Sequence, residues 1–147
     1  AQGARIEIRN GGNLMAEGTQ GLPVIITSVN DSRFGIGGTS DTTGSQTNLD
    51  PKAGDWGGVF VGHGSSASLD NVRIAYAGGT TRIEGGFASF NPIEVHQADF
   101  RMANSRIELS LDGTESATTS NRTGRGTNAP AAIFVRGAQP ILVNNRI

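Results

Sequence analysis

The chain has 147 residues, of which 22 are glycine and 5% are aromatic, and it contains no cysteine. This composition excludes a disulfide-held fold and favours tight turns and small stacked side chains over a helical bundle. The net charge is −1, and no apolar run approaches the roughly 20 residues of a membrane span. We therefore expect an all-β protein that binds no nucleic acid and does not insert into a membrane.

Four short aliphatic runs, mostly of β-branched residues, predict equivalent strands along the chain. They are Val24-Ile25-Ile26-Thr27, Val59-Phe60-Val61-Gly62, Ile93-Glu94-Val95-His96 and Ile133-Phe134-Val135-Arg136. Their first residues recur at intervals of 35, 34 and 40 residues. Alternation places the first and third residue of each run in the core and the other two on the outer face.

A tetrapeptide follows each of the last three runs at a nearly constant interval. Its copies are Asn71-Val72-Arg73-Ile74, Asn104-Ser105-Arg106-Ile107 and Asn144-Asn145-Arg146-Ile147. Strand, turn and strand recurring at fixed length build a parallel solenoid, in which equivalent side chains stack on one another. The asparagines are therefore predicted to form a ladder of side-chain amides at one turn.

Three longer segments, residues 28–56, 77–91 and 108–130, interrupt this regularity and are polar and rich in glycine. Loops of this length are uncommon inside compact domains and are often functional. We expect them to protrude from the solenoid as inserted loops.

Three stretches of the chain carry a family resemblance. They are Gly18-Thr19 with Leu22-Pro23-Val24-Ile25-Ile26-Thr27-Ser28, then Gly54-Asp55-Trp56-Gly57-Gly58-Val59, then Ala67-Ser68-Leu69-Asp70-Asn71-Val72-Arg73-Ile74-Ala75-Tyr76-Ala77-Gly78-Gly79. Together they resemble the right-handed parallel β-helix repeat regions of large secreted and surface proteins of bacteria. The resemblance implies an all-β, right-handed parallel β-helix of about four coils with long inserted loops, forming one domain over residues 1–147. It also implies an extracellular or cell-surface location, but these motifs specify architecture and not activity.

The leading functional hypothesis is a structural or adhesive module. Strand-forming residues begin close to the first residue, and the last tetrapeptide copy ends at Ile147, so both ends are predicted to present open strand edges. The expected partners are therefore the remainder of a longer β-helix or further copies of the chain stacked end to end. Polysaccharide is a further possible partner.

The alternative hypothesis is a carbohydrate-active enzyme acting on acidic polysaccharide. Stacking the outward positions gives two columns on one exposed sheet: Ile25, Phe60, Glu94 and Phe134, and beside them Thr27, Gly62, His96 and Arg136. Glu94, His96 and Arg136 are then the candidate catalytic residues, with Phe60, Phe134 and Arg106 as substrate-binding residues. Resemblance to polysaccharide lyases of this fold implies outward residues of one sheet in these roles. The competing interpretation is an exposed ion pair of Glu94 with Arg136 or with a loop arginine.

The chain is predicted to hold either no cofactor or calcium. Asp31 and Asp41 are the candidate calcium ligands, since carboxylates in a loop rich in Gly and Thr suit that ion, although the stricter calcium motifs are absent. The alternative is that these aspartates cap turns. A transition-metal site of His63, His96 and Glu94 is a further alternative. Trp56, just before a core strand, is predicted to be buried.

Overall fold

The structure, a computed structural model, describes residues 4–34, 50–83, 86–113 and 128–147. Within these ranges the chain forms thirteen strands and no helix. The strands are β1 (Ile6–Ile8), β2 (Asn13–Glu17), β3 (Val24–Ile26), β4 (Val59–Val61), β5 (Ser66–Asp70), β6 (Val72–Ala75), β7 (Thr80–Ile83), β8 (Gly86–Ser89), β9 (Ile93–His96), β10 (Asp99–Ala103), β11 (Arg106–Glu108), β12 (Ile133–Arg136) and β13 (Ile141–Val143). The predicted all-β class is confirmed.

Three parallel sheets carry the architecture. The first sheet has the order β1-β4-β9-β12, the second β2-β5-β10-β13 and the third β3-β6-β11. A single parallel bridge between Arg106 and Arg146 extends the third sheet. Because the chain visits the three sheets in the same order each time, the arrangement is compatible with a β-solenoid.

The register confirms most of the predicted strand alignment and corrects one part of it. Val59, Ile93 and Ile133 are direct partners in the first sheet, as predicted. Val24 was expected to be their equivalent, and this was wrong, because Val24 pairs with Val72 in the third sheet. The position next to Val59 belongs to Ile6 of β1.

This correction changes the outward column of the first sheet. Glu7 is the partner of Phe60, whereas Ile25 is the partner of Arg73 in the third sheet. Ile25 and Thr27 therefore do not share a column with Glu94 and His96.

The core lies between the sheets and is formed by the inward residues of the strands. Its most completely buried apolar side chains are Val59, Val61, Leu69, Val72, Ile74, Ile93, Val95 and Met102. Trp56 joins this cluster, and its indole Nε1–H donates a hydrogen bond of 2.8 Å to the carbonyl oxygen of Ala75. The predicted burial of Trp56 is confirmed, and the hydrogen bond satisfies its one polar group.

The turn between the second and third sheets is formed by the repeated asparagines. Asn71, Asn104 and Asn144 have φ angles of 49°, 49° and 53°, in the left-handed region that asparagine tolerates better than most residues. The Nδ2 of Asn144 donates to Oδ1 of Asn104 at 2.9 Å, and the Nδ2 of Asn104 donates to Oδ1 of Asp70 at 3.0 Å. The predicted amide ladder is thus confirmed between Asn144 and Asn104, while Asp70 and not Asn71 accepts at the next position.

An antiparallel hairpin of β7 and β8 occupies much of the segment 77–91, which was predicted to be a loop. The hairpin folds back over the first sheet, where Ala88 and Phe90 pack against Phe60, with Ile83 at the edge of the cluster. Glycine is required where the chain enters the hairpin, because a Cβ at Gly79 would lie 1.8 Å from the carbonyl oxygen of Gly54. The outer face of the first sheet is therefore covered by the hairpin.

Candidate functional site

The predicted catalytic residues lie on the outer face of β9, but this face is buried. Glu94 is 1% exposed and His96 is 7% exposed, so the prediction of an exposed sheet was wrong. The cover consists of the hairpin β7–β8 and of residues 128–131, which return to the sheet beside Asn91. The signal for this cover was the mostly apolar run Phe87-Ala88-Ser89-Phe90, which follows two glycines in the sequence.

The Glu94 carboxylate is held by several donors. Oε1 accepts from the backbone N–H of Asn91 at 2.9 Å and from its Nδ2 at 3.1 Å, and the Nδ2 of Asn128 also donates to it. Oε2 lies 3.2 Å from Nε2 of His96. This buried network replaces the predicted exposed ion pair between Glu94 and an arginine. Arg136, the strand partner of His96, is exposed.

Asn91 connects this network to the far segment of the chain. Its Nδ2 donates to the carbonyl oxygen of Ala129 at 2.9 Å, and its Oδ1 accepts from the N–H of Ala131 at 3.0 Å. Glu94 therefore ties residues 128–131 to the first sheet through Asn91, which is a structural role for a buried carboxylate.

The two phenylalanines predicted to bind substrate contact His96. The ring of Phe60 stacks on His96 at a centroid distance of 5.0 Å, and Phe134 lies on the other side at 5.4 Å. The structure thus brings Glu94, His96, Phe60 and Phe134 together as predicted. Because the Glu94 carboxylate is covered, a substrate could reach it only after the covering segments moved.

Asp31, one of the two predicted calcium ligands, is buried and neutralised by an arginine. Its carboxylate accepts hydrogen bonds from Thr27 Oγ1 at 2.6 Å and from Nε and Nη2 of Arg33 at 2.8 and 2.9 Å. The hydrogen bonds from the Arg33 side chain lower the pKa of Asp31 from 3.8 to about 2, although burial acts in the opposite direction. The carboxylate also accepts from the backbone N–H of Arg33, as the turn-capping alternative predicted.

The other metal predictions concern Asp41 as a calcium ligand and His63 as a transition-metal ligand. Asp41 lies outside the described residues. In the part of the chain that the structure describes, no group of three or more His, Cys, Asp or Glu side chains is placed to hold a metal ion. Calcium binding therefore stays a prediction. His63 is exposed, whereas His96 is buried between the two rings.

A second candidate site lies on the outer face of the third sheet. Arg106 is the direct partner of Arg73 on one side and of Arg146 on the other. We call these three residues the arginine stack; each is the third residue of the repeated tetrapeptide. The side chains of Arg73 and Arg106 point outward because the neighbouring Val72, Ile74 and Ile107 are buried, and Arg146 is exposed. The sequence analysis named only Arg106 as a binding residue. The arginine shared by the third position of all three tetrapeptide copies was the signal that would have predicted the whole stack.

The arginine stack has one acidic residue at its centre. Glu108 lies 3.4 Å from Arg106, 3.9 Å from Arg73 and 3.2 Å from Arg33. Arg33 is already engaged by Asp31 and packs over Phe34 and Tyr76. Among the described residues, no acidic side chain lies within ion-pair distance of Arg146.

A surface pocket of about 370 Å³ adjoins the stack. Its charged lining consists of two arginines and two carboxylates, those of Arg106, Arg146, Glu108 and Asp112. Pro92, Ile107 and Leu109 contribute apolar surface. The site therefore combines guanidinium groups with an apolar wall.

Comparison with protein-family models, with curated proteins and with solved structures found no match for this chain. In the described ranges, no helix is long and apolar enough to cross a membrane.

Proposed function

We propose that the chain is a structural or adhesive module of an extracellular bacterial protein, built as one right-handed parallel β-helix domain of about four coils. The observation that carries this proposal is the shared register of the three parallel sheets, in which each copy of the repeated tetrapeptide lies beside the next. Such stacking buries a continuous aliphatic core and leaves the outer faces and loops available for contacts.

The proposed partners are further coils, supplied by copies of the chain or by the rest of a longer β-helix. Within the described residues, β12 and β13 pair on one side only, since each is the last strand of its sheet. Leu142 of β13 stacks on the core residue Met102 and is still 45% exposed. Unpaired strand edges next to exposed apolar side chains favour the addition of another strand.

The alternative, a polysaccharide lyase that uses Glu94, His96 and Arg136, stays a prediction that the described geometry does not favour. The carboxylate and the imidazole are covered, and both serve in packing or hydrogen-bond networks. The exposed chemistry lies instead on the third sheet.

Self-association can be measured by sedimentation equilibrium over a wide range of protein concentration. We expect a mass that rises with concentration, and we expect Leu142→Lys to suppress this rise, because it places a charge at the exposed end of the core. The matched control is His63→Lys, since His63 is exposed in the turn between β4 and β5, two strands that are paired on both sides. A monomer at every concentration, or equal effects of the two variants, would contradict end-to-end association.

A further inference from the structure

We propose that the arginine stack binds a linear acidic polysaccharide through its carboxylate or sulfate groups. This inference rests on the proposed function and names the glycan class that the module contacts. The ligand is expected to run along the stack, across the strands of the third sheet.

The first argument is the geometry of the stack. Direct partners on neighbouring strands are about 4.8 Å apart, so the Cα atoms of the three arginines form a row at a regular spacing. Arg73 and Arg106 keep 33% and 40% of their side-chain surface in contact with solvent. A polymer that repeats its anionic groups can therefore contact several arginines at once.

The second argument is the charge of the stack. Like charges directly opposite one another on neighbouring strands are destabilising, so a row of three arginines is not explained by fold stability. Among the described residues, Glu108 is the one acidic side chain that forms ion pairs with the stack, and it is shared with Arg33. Asp112 lines the adjoining pocket. The row thus retains positive charge even though the whole chain has a net charge of −1.

The third argument concerns the kind of anion. Guanidinium groups bind carboxylate and sulfate oxygens through a planar fork of N–H donors, and the apolar faces of sugar rings pack against apolar side chains. The pocket beside Arg106 and Arg146 supplies such apolar surface from Pro92, Ile107 and Leu109. A sugar acid can contact both the guanidinium groups and the apolar wall of the pocket, whereas an inorganic anion contacts only the guanidinium groups.

The test measures binding of polygalacturonate by titration calorimetry at low salt, with methyl-esterified polygalacturonate as the uncharged polymer. We expect binding of the acidic polymer only, and a loss of affinity of about tenfold or more in the double variant Arg106→Gln/Arg146→Gln. The matched control is Lys52→Gln/Arg82→Gln, which removes the same charge from exposed residues outside the stack. Its affinity should stay within about twofold of the unmodified protein, because distant surface charges are screened.

Glu108→Gln gives an independent readout. Glu108 competes with the ligand for Arg73 and Arg106, so its neutralisation should raise the affinity for polygalacturonate severalfold. A purely structural role of the ion pairs would leave the affinity unchanged or lower it. Fluorescence of Trp56 reports that each variant is folded, since Trp56 is the one tryptophan and is buried.

Three outcomes would each overturn the inference. The esterified polymer could bind as tightly as polygalacturonate, or the two double variants could lose the same affinity. The third outcome is stack-dependent binding of single-stranded DNA that is tighter than the binding of polygalacturonate. These outcomes are separable from failure of the scaffold proposal. A protein that self-associates but does not bind polygalacturonate contradicts the glycan assignment alone, and a protein that binds but stays monomeric contradicts end-to-end assembly alone.

Discussion

Arg106 lies directly beside Arg73 on the neighbouring strand, and both guanidinium groups contact the same carboxylate, that of Glu108. A parallel sheet places equivalent residues of successive strands side by side, so an arginine at a fixed position of a repeat becomes a row of positive charge. The repeated tetrapeptide therefore does two things. Its asparagine forms the turn, and its arginine builds the outer surface of the third sheet.

The close approach at Gly79 predicts a strong steric effect. A Cβ there would lie 1.8 Å from the carbonyl oxygen of Gly54, which belongs to the backbone and cannot rotate away. We expect Gly79→Ala to lower the free energy of unfolding by about 3 kcal/mol or more in chemical denaturation. The matched control is Gly21→Ala, because a Cβ at Gly21 would have no atom within 4 Å. Equal stability of the two variants would contradict the described entry into the hairpin.

The buried network of Glu94 predicts a cost for its removal. Glu94→Ala removes the acceptor of the Asn91 N–H and of the Asn128 Nδ2, and one of the two acceptors of the Asn91 Nδ2, which should cost about 3 kcal/mol. Amide hydrogen exchange at Asn91 and Ala131 should become faster, since both depend on this network. The control is Glu17→Ala, because Glu17 is exposed. Unchanged exchange in the Glu94 variant would argue against a structural role for this carboxylate.

The pair of Asp31 and Arg33 predicts a pH dependence of stability. The pKa of Asp31 is lowered from 3.8 to about 2, so the folded state favours the ionised carboxylate. The contribution is therefore fully present above about pH 4, the ordinary aspartate pKa, and is lost as the pH falls through about 2. A shift of this size corresponds to about 2 kcal/mol.

Denaturation curves between pH 2 and pH 6 test this dependence. Asp31→Asn should lower stability at pH 6 and flatten the dependence below pH 4, and the exposed Asp99→Asn should change neither. Parallel curves for Asp31→Asn and the unmodified protein would contradict the lowered pKa.

The asparagine turn predicts different costs for alanine and glycine. Asn104 has a φ of 49°, and its side-chain amide accepts a hydrogen bond from Asn144 and donates one to the Asp70 carboxylate. Glycine adopts this φ without strain but loses the amide, whereas alanine also pays about 1 kcal/mol for the left-handed backbone. Asn104→Ala should therefore be less stable than Asn104→Gly by thermal denaturation, and the reverse order would contradict the described turn.

The sequence predicted the β class and the register of β4, β9 and β12, because aliphatic residues alternate strictly in all three. It misplaced Val24, since Val24-Ile25-Ile26 fits either the first or the third sheet by apolar pattern alone. Ile6-Glu7-Ile8 was the better match, because it shares the acidic second residue of Ile93-Glu94-Val95. A charged outward residue carries register information that aliphatic residues lack.

The candidate site was less predictable for a physical reason. Strand alternation separates the two faces of a sheet, but it does not say whether the outer face meets solvent or another element. The hairpin β7–β8 decides this for Glu94 and His96 through long-range packing against Phe60. The arginine stack, by contrast, follows from the repeat and the register alone.

Disulfide cross-linking measures the alignment of the arginine stack most directly, because the chain has no cysteine of its own. Direct partners in a parallel sheet have Cα atoms about 4.8 Å apart, within the range of a disulfide, and residues two strands apart are separated by about 10 Å, beyond it. An in-register stack predicts that Arg73→Cys/Arg106→Cys and Arg106→Cys/Arg146→Cys form intramolecular disulfides on mild oxidation, and that Arg73→Cys/Arg146→Cys does not. Cross-linking of the Arg73–Arg146 pair within a monomer, or none in the two adjacent pairs, would contradict the stack.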